Sequence, residues 1–471
     1  IVAFSHDGLP KSQVTIPLST SLLKRTGTDV PAAHANTHCS LYEIHEGRRT
    51  SSTLRRNTAA DRRARRASCA ICVPRAFPRH QEYYPMATVL CVLYPDPVDG
   101  YPPRYVRDAI PVITHYADGQ TAPTPAGPPG FRPGELVGSV SGALGLRAYM
   151  EAHGHTLIVT SDKDGPDSEF ERRLPEADVV ISQPFWPAYL TAERIARAPK
   201  LKLALTAGIG SDHVDLDAAA RAHITVAEVT GSNSISVAEH VVMTTLALVR
   251  NYLPSHAIAQ QGGWNIADCV SRSYDVEGMH FGTVGAGRIG LAVLHRLKPF
   301  GLHLHYTQRH RLDASIEQAL GLTYHADAAS LASAVDIVNL QIPLYPSTEH
   351  LFDAAMIARM KRGAYLINTA RAKLVDRDAV VHAVTSGHLA GYGGDVWFPQ
   401  PAPADHPWRT MPFNGMTPHI SGTSLSAQAR YAAGTLEILQ CWFDGKPIRN
   451  EYLIVDGGTL AGTGAQSYRL T

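Results

Sequence analysis

The stretch that most constrains this chain runs from Met279 to Arg311, MHFGTVGAGRIGLAVLHRLKPFGLHLHYTQRHR. A short apolar run enters the turn Gly285-Ala286-Gly287-Arg288-Ile289-Gly290, after which Ile289, Val293 and Leu297 recur at helical spacing until Pro299 and Gly301 end the pattern. Leu302, Leu304 and Tyr306 then alternate with His303 and His305, as in a strand. A lone GxGxxG is weak evidence, but strand, glycine turn, helix and strand in this order make the unit that binds a dinucleotide. In such a unit Gly285 permits the tight turn, Gly287 lets backbone N–H groups approach a pyrophosphate on the helix N-terminus beside Arg288 and Ile289, and Gly290 lets helix and strand pack closely.

The end of the second strand bears on which dinucleotide is bound. A site for NAD normally carries Asp or Glu about 20 residues beyond the first glycine, where it accepts hydrogen bonds from the ribose hydroxyls. Here the position reads Thr307-Gln308-Arg309-His310-Arg311, without a carboxylate. A carboxylate would repel a 2′-phosphate, whereas an amide can hydrogen-bond to it and guanidinium groups can pair with it. The expectation is therefore NADP, with NAD the weaker alternative, and Gln308, Arg309 and His310 at the adenosine end. The competing reading has Gln308 in solvent and the basic residues coating a loop.

From Met86 onward, short apolar runs alternate with amphipathic stretches, the pattern of an α/β protein. TVLCVLY, TLIVT, ADVVIS, LKLALTA and ITVAEV read as strands ahead of the glycine turn, and DIVNLQIP, AYLINTA and GYGGDVW read as strands after it. The fold class expected is two Rossmann-like, doubly wound parallel-sheet domains. Residues 86–233 form the first part of an outer, substrate domain and 234–419 the dinucleotide domain. Residues 420–471 return to the outer domain, which is thus discontinuous. A long helix from about Ser236 bridges the two, GGWNIADC reads as a loop able to pack across a subunit boundary, and NGMTPHISG reads as the segment by which the chain leaves the inner domain. Glu239 and His240 on the bridging helix could tempt a metal assignment; a polar pair opening a buried helix is more simply structural.

Residues 1–85 do not resemble the rest. They lack methionine and carry Arg48, Arg49, Arg55, Arg56, Arg62, Arg63, Arg65 and Arg66 among Ser, Thr and Ala, with little to bury. A targeting peptide or a basic arm would fit, but the abrupt change at Met86 favours a native start there and an upstream, poorly packed extension. The proline- and glycine-rich passage Tyr94 to Gly134 reads as a wrapping loop or lid. A net charge of +1 gives no electrostatic reason to expect nucleic acid or a membrane surface as partner, and no apolar run reaches the length of a spanning helix. Six scattered cysteines read as reduced thiols, Cys69 and Cys72 forming an incidental pair without a second pair at zinc spacing. The expectation is a cytoplasmic protein without metal.

Arg371 after LINTA, Asp395 after GYGG and His419 in TPHISG stand at strand ends in or beside the dinucleotide domain, a cation, a carboxylate and an imidazole suited to a small anionic substrate. Around them the chain resembles the D-specific 2-hydroxyacid dehydrogenases and, within them, the metal-free, NAD(P)-dependent formate dehydrogenases. The resemblance is carried by GSVSGALGLR, SQPFWPAYL, GIGSDHVDL, SVAEHVV, GGWNIADC, NTARAKL, GDVWFPQPAPADHPWR, NGMTPHISGT and IRNEYLIV. It implies formate as substrate and a homodimer, with the bridging helix and GGWNIADC at the contact. It also implies that Arg371, the Asn233 amide and the Ile209 N–H bind the carboxylate, that Pro184 and Phe185 form an apolar wall, and that His419 sits beside substrate and nicotinamide. Asp395 would orient the carboxamide, and Pro343, Thr369, Ser421 and Gly422 complete the cofactor set.

Hydroxyacid oxidation needs a base for the hydroxyl proton, and a Glu upstream of the histidine makes it one. The candidate at that position is Gln400, and formate has no hydroxyl to deprotonate. The expected activity is therefore direct hydride transfer from formate to NADP, releasing carbon dioxide. The alternatives are a D-2-hydroxyacid or glyoxylate-type oxidoreductase on the same scaffold and a nucleotide-sensing, corepressor-like binding protein. Two positions depart from most relatives: Gln308 replaces Asp, and Tyr345 replaces a frequent His beside the adenosine pocket.

Overall fold

The structure, a computed structural model, describes residues 86–101, 110, 113–115, 136–463, 465 and 468. The arginine-rich segment with Cys69 and Cys72, and most of the proline-rich passage up to Gly134, lie outside these residues.

In chain order, five short strands open the first sheet: β1 (Thr88–Val92), β2 (Thr156–Thr160), β3 (Val179–Ser182), β4 (Leu203–Thr206) and β5 (Thr225–Glu228). Seven build the second: β6 (His280–Val284), β7 (His303–Thr307), β8 (Thr323–Tyr324), β9 (Ile337–Leu340), β10 (Ala364–Asn368), β11 (Leu389–Gly394) and β12 (Asn414–Met416). The chain then returns to the first sheet with β13 (Leu453–Asp456) and β14 (Thr459–Leu460). The first sheet has the order β14-β13-β5-β4-β3-β1-β2, parallel from β5 to β2, with β13 antiparallel to β5. The second is parallel throughout, in the order β12-β11-β10-β9-β6-β7-β8. Both are doubly wound. Strand order reverses between β1 and β3 and again between β6 and β9, and such reversals leave a crevice at the carboxyl ends of the strands where ligands bind.

Strands buried on both faces read as continuous apolar runs, and the period of two shows only in where each side chain goes. Val89, Cys91, Ile181 and Leu205 pack on one face of the first sheet against Ala427, Tyr431 and Leu436 of the last helix, Leu425–Phe443. Leu90, Val92, Val180 and Ala204 pack on the other face with Phe170 and Ile195. The last helix therefore belongs with the first sheet, as β13 and β14 do, and the outer domain is built from two separated segments. The bridging helix, Ser234–Val249, packs Ala238, Val241 and Val249 into the core of the second sheet with Phe281, Ile337 and Ile367. It comes so close to β11 that a Cβ at Gly393 would lie 2.4 Å from Thr244 Cγ2, which is why that strand reads GYGG. Among the described residues no helix is long and apolar enough to cross a membrane.

One local expectation needs correction, and two local details add to the sequence reading. GGWNIADC is not all loop: Ile266–Val270 is helical, because the Asn265 side chain accepts hydrogen bonds from the Ala267 and Asp268 N–H groups and so caps the first turn. NGMTPHISG begins as β12, parallel to β11 and too short to show periodicity. On β7, His303 is exposed but His305 is not. His305 is buried between neighbours, its Nε2 2.8 Å from His280 Nδ1 and its Nδ1 3.0 Å from His325 Nε2.

Candidate active site

The glycine turn follows β6 at the β6/β9 reversal. Gly285 has φ +95°, and a Cβ there would lie 2.4 Å from the Gln341 carbonyl oxygen, so no other residue fits without moving β9. A Cβ at Gly290 would lie 2.1 Å from the Gly285 carbonyl oxygen, which is the close helix–strand approach expected of it. At Gly287, by contrast, a Cβ would meet nothing within 4 Å, and the helix Arg288–Leu297 begins there. The turn thus presents open backbone and a helix N-terminus, the cradle that a pyrophosphate requires. Below it a chain of hydrogen bonds joins the strand ends. Gln341 Nε2 donates to Thr369 Oγ1 at 2.6 Å, Asn339 Nδ2 donates to Thr283 Oγ1 at 3.1 Å, and Thr283 Oγ1 donates to the Gly285 carbonyl at 3.0 Å.

Gln308 does not reach into solvent. Its Oε1 accepts from the Ala286 N–H of the glycine turn at 3.2 Å and its Nε2 donates to the His310 carbonyl at 2.6 Å. Arg311 is bound to Glu317 through two hydrogen bonds of 2.8 and 2.9 Å and so is not available to a phosphate. Arg309 acts on Tyr345, whose buried hydroxyl has no hydrogen-bond partner; burial raises the Tyr345 pKa and the charge of Arg309 opposes that rise.

A cleft enclosing about 930 Å³, including space open to solvent, lies where the ends of both sheets meet. It brings together Pro184, Phe185, Ile209, Asn233, Arg371 and His419 from the expected substrate set. Ile289, Pro343, Thr369, Ser421 and Gly422 from the cofactor set line it too. Arg371, just beyond β10, donates Nε–H to both Asp212 oxygens at 2.9 and 3.0 Å and Nη2–H to Oδ1 at 2.5 Å, while its Nη1 donates to the Ala370 carbonyl at 2.7 Å. Burial would raise the pKa of Asp212, but the charge and hydrogen bonds of Arg371 outweigh it and bring the carboxyl down to about 2. Gly210 has φ +109°, and a Cβ on it would lie 1.9 Å from Arg371 Nη2, so the loop after β4 is shaped to the guanidinium. Beside it, the Ile209 N–H makes no hydrogen bond among the described residues. Asn233 is buried with its Oδ1 unpartnered, and Gly422 makes room for it, since a Cβ there would lie 2.6 Å from Asn233 Nδ2.

The imidazole of His419 is wired by one side chain. Gln400 Nε2 donates to the Phe185 carbonyl at 2.7 Å, which aims Oε1 at His419 Nδ1, also 2.7 Å away. Because that oxygen can only accept, Nδ1 carries the proton and Nε2 is the basic nitrogen. Burial, with Arg371 adding to it, lowers the His419 pKa to about 4 against the pull of Asp395 and Asp212, so the ring is neutral at pH 7. Asp395 is fully buried rather than in the cleft wall. It accepts from the Ile420 N–H at 2.7 Å, the Ser421 N–H at 2.8 Å and Thr417 Oγ1 at 2.6 Å, and so fixes the loop that carries His419. His240 Nε2 supports the same Thr417 hydroxyl at 3.1 Å, and Glu239 pairs with Arg296 at 3.2 Å. Among the described residues no group of three or more His, Cys, Asp or Glu side chains is placed to hold a metal ion.

Three titratable residues in the cleft were not singled out from the sequence: Asp212, Glu228 and Tyr468. Asp212 and Glu228 do stand at the ends of β4 and β5, where ligands collect. Tyr468 carries no local signal, because it reaches the cleft only through the return of the C-terminal segment.

Residues 242–421 match the model of the D-isomer specific 2-hydroxyacid dehydrogenase NAD-binding domain. The formate dehydrogenase of Pseudomonas sp. (strain 101) is 70% identical over 383 residues, 81% of this chain and 95% of the relative. The mitochondrial formate dehydrogenase of Solanum tuberosum is 53% identical over 326 residues, 69% of this chain and 86% of the relative. Among solved structures, a Granulicella formate dehydrogenase superposes with a TM-score of 0.78 at 70% identity, covering 80% of this chain and all of that one. The NAD-dependent formate dehydrogenase of Staphylococcus aureus, solved with NAD, has a TM-score of 0.67 at 40% identity, covering 78% of this chain and 99% of its own.

Proposed function

The chain belongs to the formate dehydrogenases among the D-isomer specific 2-hydroxyacid dehydrogenases, and from that premise we propose that it oxidises formate to carbon dioxide, with NADP preferred over NAD. The observation that carries the reaction is the neutral pair His419–Gln400. Losing a hydride turns HCOO⁻ into CO₂ without releasing a proton, so the site needs no base, and an amide on His419 Nδ1 holds the ring without making it one. Arg371, the Ile209 N–H and Asn233 bind and align the carboxylate, while Pro184 and Phe185 keep water from the C–H. The glycine turn from Gly285 to Gly290, with Gln308 and Arg309 at the adenosine end, would hold the dinucleotide. When bound, it supplies the nicotinamide that accepts the hydride.

NADP rests on the absence of a carboxylate at Gln308. In this reading residues 86–233 with 420–471 form the substrate side and 234–419 the coenzyme side. The chain acts as a homodimer through the bridging helix and the GGWNIADC passage, where Met243, Trp264 and Ile266 are exposed. The test is kcat/KM for formate with NADP and with NAD, on the wild type and on Gln308→Asp. A preference for NADP that reverses in the variant is the expected result. Turnover that favours NAD in the wild type would overturn the coenzyme assignment, and turnover of a 2-hydroxy acid in place of formate would overturn the reaction.

A further inference from the structure

The anion site is bordered by Tyr468. Tyr468, described at the far end of the chain, donates its hydroxyl to Glu228 Oε2 at 3.0 Å and accepts the Ser211 N–H at 2.6 Å. The same Glu228 oxygen accepts the Gly210 N–H at 3.0 Å and the Ser211 hydroxyl at 2.9 Å, and Thr206 Oγ1 lies 2.9 Å from that hydroxyl. Glu228 is 3% exposed, at the end of β5. Its carboxylate and the tyrosine hydroxyl together satisfy two consecutive backbone N–H groups of the loop after β4.

That loop makes the pocket for the substrate carboxylate. Its Ile209 N–H is uncommitted among the described residues, its Asp212 holds Arg371, and its Gly210 is in steric register with the guanidinium. No hydrogen bond of Tyr468 goes to Arg371, Asn233 or His419. Its leverage on the reaction passes through the loop.

We propose that Tyr468, acting through Glu228, is a positioning residue for formate binding. The inference rests on the formate reading above. The test compares full-length wild type with Tyr468→Phe, which removes one oxygen, in steady-state kinetics with formate varied at saturating dinucleotide. The KM for formate should rise about tenfold, as for a lost hydrogen bond to a charged group, while kcat stays within about twofold. The KM for the dinucleotide should not change. The acid limb of kcat/KM should move to higher pH, because Glu228, facing Arg371, Asp212 and Tyr468, protonates more readily with one donor fewer. A loss of thermal stability alone would move neither KM nor the limb.

Ser211→Ala, which removes a second donor from the same oxygen, should act in the same direction and serves if the first variant folds poorly. In a Glu228→Gln background Tyr468→Phe should have less effect than in the wild type. An unchanged formate KM and acid limb in both single variants, or full additivity with Glu228→Gln, overturns the proposal. Wild type that does not oxidise formate instead sinks the reading on which the proposal rests.

Discussion

Gln400→Glu tests the chemistry of the site most directly. The substitution keeps length and shape but puts a charge 2.7 Å from His419 Nδ1 and an acceptor 2.7 Å from the Phe185 carbonyl, where a donor now stands. With about 4 Å between the centres of charge and an effective dielectric near 20, an imidazolium–carboxylate pair gains roughly 4 kcal/mol, equivalent to about three pH units of protonation. His419 starts from about 4, so the new pair should hold one proton to near neutral pH. Either partner can carry it: as imidazolium facing carboxylate, or as a protonated Glu that donates to Phe185 much as the amide did. Wild type, with no group of this pair titrating above about pH 5, should give a flat kcat/KM for formate from pH 6 to 8. The variant should gain a limb near pH 7. Below that limb its kcat for formate should fall at least about tenfold, because a positive ring stabilises the formate anion more than a transition state whose charge is departing. Glyoxylate reduction, which needs a proton donor, should rise from background. Profiles from pH 5 to 9, with the His419 ring followed by NMR, read all of this. A variant with the same flat profile as wild type would show that Gln400 does not control the ring.

Other positions give simpler expectations. Arg371→Lys keeps the charge but loses the three-bond grip on Asp212, and kcat/KM for formate should fall about 100-fold or more, with dinucleotide affinity little changed in a binding titration. Gly285→Ala places a Cβ 2.4 Å from the Gln341 carbonyl at φ +95°, so calorimetry should show stability lost by roughly 1–3 kcal/mol together with weakened dinucleotide binding. His305 is lowered to about 4 by burial and by His325, His280, His303 and Lys361 around it, with Asp336 alongside. The unfolded chain therefore binds the proton more tightly, and this stability is complete above about pH 6.5 and lost as pH falls toward 4. Melting temperature should drop over that window, and less steeply in a His305→Gln variant.

The sheets were legible because their strands are buried on both faces, and burial writes long apolar runs that survive without any alignment. The site was legible where chemistry dictates residue type at a strand end, as for Arg371 and His419, or where a backbone turn excludes every side chain, as at Gly285. Elements made by one contact were not. The helix Ile266–Val270 exists because Asn265 caps it, and β12 because three residues pair with β11. Asp395 could be placed at the site by position, but its three donors come from residues 22 to 26 places away, so its hold on the His419 loop is visible only in three dimensions. That Arg311 is held by Glu317, six residues on, is likewise visible only in the structure.

Two glutamines stand where related chemistry would use carboxylates, and their surroundings explain why they are amides. Gln400 lies between a donor, His419 Nδ1–H, and an acceptor, the Phe185 carbonyl. Gln308 lies between the Ala286 N–H and the His310 carbonyl. An ionised carboxylate can only accept, so in either place one oxygen would face a carbonyl at 2.6 or 2.7 Å, a contact that costs about 1–3 kcal/mol unless the backbone moves or a proton is bound. Each amide therefore does two things at once: it removes a negative charge from the site and bridges two groups that a carboxylate would leave mismatched. It follows that Gln308→Glu, which keeps the length, should be repaired in part by an added change that frees the His310 carbonyl, such as shortening the 309–311 loop. If NAD use by Gln308→Glu is the same with and without such a change, the loop imposes no mismatch and the amide matters for its charge alone.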